Sequence, residues 1–463
     1  MKNLLLPTSV GIGLRREIAG DLLARPESVD FLEVVAEGCF EGEKGHREAI
    51  ALSRVWPVVP HGVKLSLGSA EGVDMEHAAR LGKLTRDLGA PYVTEHVAFV
   101  RAGGREIGHL TQLPRTRESL RVLARNVDRA RHVLPDVPLL LENAAWTLRW
   151  PDDDLDEASF YCEVVRATGC DMLLDLANLY ANALNAGENP SRVLAGYPLD
   201  RVKMVHVAGG FRRDGFYVDS HAHPVPDPVF ALLGELVAAI GPLPVMIERD
   251  SAFPPFEELA AEVAHARQAL ANPRTTKARP APTPRATVTA AHRPSLQTLA
   301  DTQADLAALL TDVVPRPPPL SLSRFDVVEI ERTREVLRRK RVEDALMHLP
   351  RLAHSPDQEA LRELAFVCIA ASPRALRFTA VCDAMRIASA AIGHAGLASL
   401  ARLDELLLRS RFLGSPETGT VRPRVAPFLG RALGADGGAV WAVKSPGARS
   451  AVRMFAREEP TGR

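Results

Sequence analysis

The stretch PLLLENAAW, Pro138–Trp146, runs four apolar residues into a carboxylate and a carboxamide, Glu142 and Asn143. Burying such groups without partners is costly, so something must face them. Working outward, apolar runs of strand length recur eight times: VGIGL (10–14), FLEVV (31–35), VVPHGVKLSL (58–67), YVTEHVAFV (92–100), PLLLENAA (138–145), DMLLDLANLY (171–180), VKMVHVAGG (202–210) and PVMIERD (244–250). Amphipathic segments separate them. In TRESLRVLARNVDRARHVL, residues Leu120, Leu123, Val127, Ala130 and Leu134 recur at helical spacing. Gly89, Gly169 and Gly241 stand where helix C-caps are expected. Eight strands alternating with helices predict an α/β fold, a (β/α)8 TIM barrel. No G-x-G-x-x-G loop follows the first strand to favour an open dinucleotide-binding sheet.

The chain has 463 residues, enough for about two to four domains. Lys plus Arg equals Asp plus Glu at 57 each, so net charge steers the whole molecule towards neither nucleic acid nor an anionic membrane. MKNLLLPTSV is too short in apolar residues for a signal peptide and no run is long enough to span a bilayer, so a cytoplasmic location is expected. Five scattered cysteines without a C-x-x-C pair predict buried thiols, with neither disulfides nor a thiolate zinc site. PRTTKARPAPTPRATVTAAHRP (273–294) has linker composition, and PRPPPL (315–320) follows a short helical segment. The expected division is therefore a barrel domain at 1–272, a Pro-rich linker with a short helix at 273–320, and a mainly α-helical C-terminal domain at 321–463. In the last, Arg334, Arg338, Arg339, Lys340 and Arg341 read as a solvated helix face, with a dock for an acidic leader peptide as the sharper alternative.

In a TIM barrel the late strand positions converge on the C-terminal mouth. The candidates there are Glu37, His61, Glu95 with His96, Glu142 with Asn143, Asp175 with Asn178, His206, Asp219 with His221, and Glu248 with Asp250. Four histidines and several carboxylates around one cavity would be satisfied by two or three divalent cations, with Glu142 bridging. Imidazole and carboxylate without thiolate suit iron, manganese or zinc. Glu37, Glu95, Asn178, His223 and Asp250 suit supporting tasks equally well. GGFRRDG (209–215) reads as a flexible loop, and 209–223 as the place for a lid. Ser66 or Ser69 with His61 lacks the G-x-S-x-G elbow of a nucleophile.

LEVVAEGCF, HGVKLSLGS, VTEHVAF, LLLENAAW, GCDMLLDLANLYANALN, VHVAGG, VDSHAHPV and MIERDSAFP together resemble the multinuclear non-heme iron-dependent oxidases, the family that includes the methanobactin-biosynthesis oxidase. The resemblance runs from about residue 11 to 270. It implies a sugar-isomerase-like barrel holding two or three mixed-valent Fe2+/Fe3+ ions. It also implies dioxygen as co-substrate and a ribosomally made precursor peptide, modified at cysteine, as substrate. The implied metal ligands are His61, His96, Glu142, Asn143, Asp175, His206, Asp219, His221 and Glu248, with Asp250 beside them as the catalytic residue. A separate protein often recruits the precursor in that family, a task the fused helical domain would take over here. Three positions depart from the pattern: Thr94–Glu95–His96 replaces Ser-Asp-His, Gly210 stands where a second His is usual, and Ala177–Asn178 replaces an Asn pair. The alternatives are a zinc or manganese hydrolase or isomerase on the same barrel, and a non-catalytic adaptor with structural metals. No nucleic-acid or membrane partner is expected.

Overall fold

The computed structural model describes residues 5–272, 296–312, 319–375, 378–418, 420–434, 438–445 and 452–456. The linker expected at 273–294, and most of PRPPPL, lie outside them. The chain divides into two compact units, one of residues 1–104 with 108–304 and one of 105–107 with 305–463. No helix among the described residues is long and apolar enough to cross a membrane.

The strands up to residue 272 are β1 Val10–Gly13, β2 Phe31–Val35, β3 Val58–Gly62, β4 Val93–His96, β5 Ala98–Ala102, β6 Arg105–Gln112, β7 Leu139–Glu142, β8 Asp171–Asp175, β9 Val202–Arg213, β10 Phe216–His223 and β11 Val245–Glu248. Eight of them pair in parallel in the order β1-β2-β3-β4-β7-β8-β9-β11, and β11 returns to β1, closing the barrel. Both faces of these strands are buried, which is why they read as continuous apolar runs. Helices cross between successive strands and are capped as their sequences dictate. Asp74, Thr116 and Asp156 accept backbone N–H groups at N-termini, while Gly89 and Gly169 close C-termini in the left-handed conformation.

The strands read at 58–67 and 138–145 are shorter, Val58–Gly62 and Leu139–Glu142, and three further departures from the sequence reading shape the site. The run 92–100 is two strands broken at Val97, because Ala98–Ala102 leaves the barrel to pair with Arg105–Gln112. The run 171–180 stops at Asp175, whose carboxylate caps the helix Leu176–Ala186 by accepting the Asn178 N–H at 2.7 Å. GGFRRDG is not a loop: β9 and β10 form an antiparallel hairpin, turned by Asp214 and Gly215 at φ 51° and 80°. Paired positive φ values match the twist of a two-residue hairpin turn.

The second unit packs helices Val327–Leu346, Gln358–Ala370, Thr379–Ala391 and Ala398–Arg411 around one apolar cluster. It also carries a three-stranded antiparallel sheet, Phe428–Leu433, Ala439–Lys444 and Arg453–Ala456, which the sequence reading did not foresee. The basic run is not a simple solvated face. Arg334 and Arg341 are buried, Arg338 pairs with Glu331 at 2.8 Å and Arg339 with Glu335 at 2.7 Å.

Candidate metal centre

Six barrel strands place an apolar side chain in the barrel interior and a polar one two residues later. The pairs are Phe31 and Glu33, Val59 and His61, Leu140 and Glu142, Leu173 and Asp175, Met204 and His206, and Met246 and Glu248. Residues two apart share a strand face, so the apolar members form one buried floor and the polar members a layer above it. Gly11 makes room in the floor, since a Cβ there would meet the Phe31 ring at 2.7 Å. On β4, Thr94 and His96 continue the spacing, and register sets His96 beside Glu142 and Asp175 beside His206. Every polar member is buried.

The histidines are aimed from behind. His61 Nδ1 lies 2.8 Å from Thr94 Oγ1, His96 Nδ1 donates to the Gly62 carbonyl at 3.2 Å, and His206 Nε2 donates to Glu33 Oε2 at 3.0 Å. Each ring therefore turns its other nitrogen inward, as metal-binding imidazoles do. Those nitrogens face shared carboxylates. His61 Nε2 and His96 Nε2 lie 3.6 and 3.4 Å from Glu142 Oε2, and His206 Nδ1 lies 3.6 Å from Glu142 Oε1 and 3.2 Å from Glu248 Oε2.

The hairpin supplies the remaining wall. The β9–β10 register shifts between Asp219 and His223, and His221 takes a left-handed φ of 50° within that bulge. Such strain in a non-glycine residue persists only where the surroundings enforce it. His221 Nδ1 comes to 3.3 Å from Glu248 Oε2, and its Nε2 lies 2.8 Å from Asp219 Oδ2 without hydrogen-bond alignment. Gly209 and Gly210 permit this return, because a Cβ on either would lie within 2.3 Å of a carbonyl oxygen of the facing strand segment.

Ligand-type atoms gather in three groups, each within 4.8 Å: His61, His96 and Glu142; Glu142, Asp175, His206 and Glu248; and His221, Glu248 and Asp250. Glu142 and Glu248 each belong to two. Six buried atoms of this layer lack a hydrogen-bond partner: Glu142 Oε2, Asp175 Oδ2, His206 Nδ1, Asp219 Oδ1, His221 Nε2 and Glu248 Oε2. Leaving them so is expensive. The electrostatics show how the bare chain copes. Burial, with Glu142, Asp219 and Glu248 nearby, pushes the Asp175 carboxyl well above the usual range. Burial disfavours the charged form of His96, but Glu142, Glu95 and Glu248 outweigh it and raise this imidazole to about 9. His206 and His221 are raised in the same way by Glu33 and Asp219. Protons thus stand where cations would, and an oxygen and nitrogen donor set without thiolate fits divalent metal ions.

The other sequence candidates fall around this layer. Both ends of the Asn143 amide bond the Asp175 backbone at 2.9 Å, leaving its oxygen one lone pair. Asp250 sits at the rim, 44% exposed, paired with Arg15 and 3.5 Å from His221 Nδ1. Glu95 accepts the backbone N–H groups of Leu65 and His96, Asn178 donates to the Asn143 carbonyl, and His223 bonds Ser220. Glu37 is bound to Val63 and His77, outside the layer. Ser66 and Ser69 are tied to backbone atoms of Val100 and Arg101. Sequence reasoning missed Glu33, although FLE repeats the apolar-x-acid spacing of LLE and MIE, and it missed Arg15, which nothing in the pattern marks.

A family profile described as RiPP precursor modification enzyme MbnB/TglH/ChrH matches residues 9–271. The chain belongs to this family. RiPP precursors are ribosomally made peptides modified after synthesis, so the barrel is that of a peptide-modifying enzyme family. Curated relatives of the family barrel include a UPF0276 protein of Streptomyces avermitilis, 44% identical over 267 residues that cover 56% of this chain and 54% of that one. The chain thus matches about half the length of that relative. A UPF0276 protein of Chromobacterium violaceum is 38% identical over 266 residues, 57% of this chain and 96% of the other. Among solved structures, L-ribulose 3-epimerase is similar at 17% identity and a TM-score of 0.36, over 57% of this chain and 92% of that one. Endonuclease IV from Thermus thermophilus is similar at 19% identity and a TM-score of 0.39, over 57% and 99%.

Proposed function

We propose that the chain is a multinuclear iron, dioxygen-dependent oxidase that modifies a ribosomally made peptide at cysteine. The observation that carries the reading is the set of six unpartnered buried donor atoms, gathered in groups that share Glu142 and Glu248. His61, His96, Glu142, Asp175, His206, Asp219, His221 and Glu248 would hold two or three ions, with the remaining lone pair of Asn143 as a further donor. Bound iron would supply the electrons for dioxygen activation and a cation that lowers the pKa of a substrate thiol.

The chain's own residues set the terms of that chemistry. The apolar floor shuts the barrel from below, so peptide and dioxygen enter by the mouth. Asp250 is the half-exposed carboxylate at that rim; its partial burial would raise its pKa, but His221 and Arg15 outweigh that and hold it low. It therefore stands ionised at neutral pH, placed to receive a proton from an entering substrate. Residues 1–272 form the catalytic domain in this reading, and 273–320 a Pro-rich linker with a short helix, Leu296–Thr311, that packs back on that domain through Gln303. Residues 321–463 recruit the precursor, alone or with a partner protein, in the cytoplasm.

The test is metal analysis and electron paramagnetic resonance on protein purified anaerobically without chelators. About two to three irons per chain, with dioxygen uptake on adding a cysteine-containing precursor, supports the oxidase. Zinc or manganese filling the site with inert iron moves the assignment to hydrolysis or isomerisation. Asp219→Ala and His221→Ala should each lower metal content and abolish turnover; full activity in either sinks this ligand set.

A further inference from the structure

The second unit holds a set of guanidinium groups that the barrel chemistry does not use, outside the stretch matched by the family profile. Arg334, Arg338 and Arg341 of the helix Val327–Leu346 and Arg374 line one cleft of about 20 Å3 together with Asp312 and Ser372. Arg341 is spent: Nε and one terminal nitrogen grip Asp383 at 2.8 Å each, and the other donates to the Ser372 carbonyl at 3.2 Å. Asp383 is shared with Arg386 at 3.0 Å. Arg338 is held by Glu331 at 2.8 Å.

Arg334 and Arg374 are different. Arg334 is only 5% exposed and donates to the Asp312 carbonyl at 3.0 Å, yet its Nε has no acceptor, with Glu331 3.7 Å away. Arg374 Nε also has no acceptor, and the carboxylate facing this side chain, Glu106, stands 4.0 Å from a terminal nitrogen. Burial, reinforced by the neighbouring charge of Arg341, holds the Arg374 pKa below its ordinary value. Unspent donors on buried cations are costly, and a planar two-oxygen anion is the group that a guanidinium fork satisfies. The cleft is of a size for the one or two oxygens of such a group, with the rest of its carrier outside.

We propose that this cleft binds a carboxylate, received by the Nε edges of Arg334 and Arg374. The carboxylate comes either from an acidic side chain of a peptide or from a free small acid. The site is independent of the metal reading, since none of its residues belongs to the barrel layer.

The experiment is calorimetric titration of the full chain with sodium acetate and with acetylated, amidated tetraglutamate. Arg334→Gln and Arg374→Gln should each weaken binding about tenfold, the loss expected of a charge-assisted bond, while Arg339→Gln leaves it within about twofold. Tighter binding of tetraglutamate than of acetate identifies a peptide side chain as the source, and equal binding per carboxylate identifies a free acid. Metal content is measured in parallel and should not change, which separates this site from the barrel. As a check that needs no variant, saturating acetate or tetraglutamate should protect Arg334 and Arg374 of the unaltered chain from phenylglyoxal, read by peptide mass spectrometry. Absence of binding by both probes, or equal weakening by Arg339→Gln, or lack of protection, overturns the proposal and leaves these donors to water.

Discussion

Glu33 is engaged by His206 Nε2, and so it decides which nitrogen of that ring is offered to the open donor atoms. Removing such a carboxylate behind a metal-binding imidazole costs about 10–100-fold in metal affinity. Glu33→Ala should show that loss by competition with a chelator, with Glu33→Gln intermediate because it keeps a hydrogen-bond acceptor; unchanged affinity in both would falsify its orienting role. The raised histidines set a pH signature as well. In the metal-free chain His96 titrates near 9, above the 6.5 of an ordinary imidazole. Its pairing stabilises the fold fully below about pH 6.5 and is lost as pH rises through 9. Metal binding must expel the same protons, so affinity should rise over that window. Thermal melts of chelated protein at pH 6 and 9 should therefore fall, while metal titrations at the same pH values tighten. The layer was largely legible because six of the eight barrel strands carry an apolar residue and then, two positions on, a ligand-type one. Glu33 escaped because FLEVVAE offers two acids, and the later one, Glu37, stands past the strand's end, where a mouth ligand is sought, while its side chain turns to His77.

The β9–β10 hairpin is the element whose conformation the sequence disguised. GGFRRDG looks flexible because glycine and charge dominate it, but those glycines are there for close approach, with carbonyl oxygens where a Cβ would stand. Gly209→Ala should cost about 1–3 kcal/mol as overpacking and pull Asp219 and His221 out of register. Metal analysis should show loss of the hairpin-side ion with the barrel still folded by circular dichroism; full occupancy would mean that the hairpin tolerates the shift. The floor behaves differently. Leu140→Ala removes a fully buried side chain and should lower stability by about 2–5 kcal/mol in chemical denaturation. The strand read at 171–180 ran too far because LLDLANLY is apolar in either state, and only the cap made by Asp175 marks the turn into helix.

At the scale of the molecule, the closed ring was readable from eight apolar runs, whereas the extent of the first unit was not. It reaches to residue 304, because Gln303, from the helix Leu296–Thr311, donates to the Gly68 carbonyl and accepts the Ala70 N–H. A polar residue in a short helical segment after a Pro-rich run gives no hint of that. A chain ending at 312 should therefore melt above one ending at 272, by an amount worth about 1–3 kcal/mol, with equal metal content in both. The small terminal sheet went unread because FLGRAL and AVWAVK alternate too weakly to stand out from helix. The barrel's donors also have unequal footing: most hang from strands hydrogen-bonded on two sides, whereas Asp219 and His221 hang from a ribbon whose only strand pairing is with β9, helped by single bonds such as that from the Asp250 N–H to the His221 carbonyl at 2.8 Å. The centre should consequently empty in a fixed sequence. A slow chelator would remove first what Asp219 and His221 hold and last what Glu142, His61 and His96 hold, giving a biphasic time course and a stable, partly loaded intermediate that can be isolated.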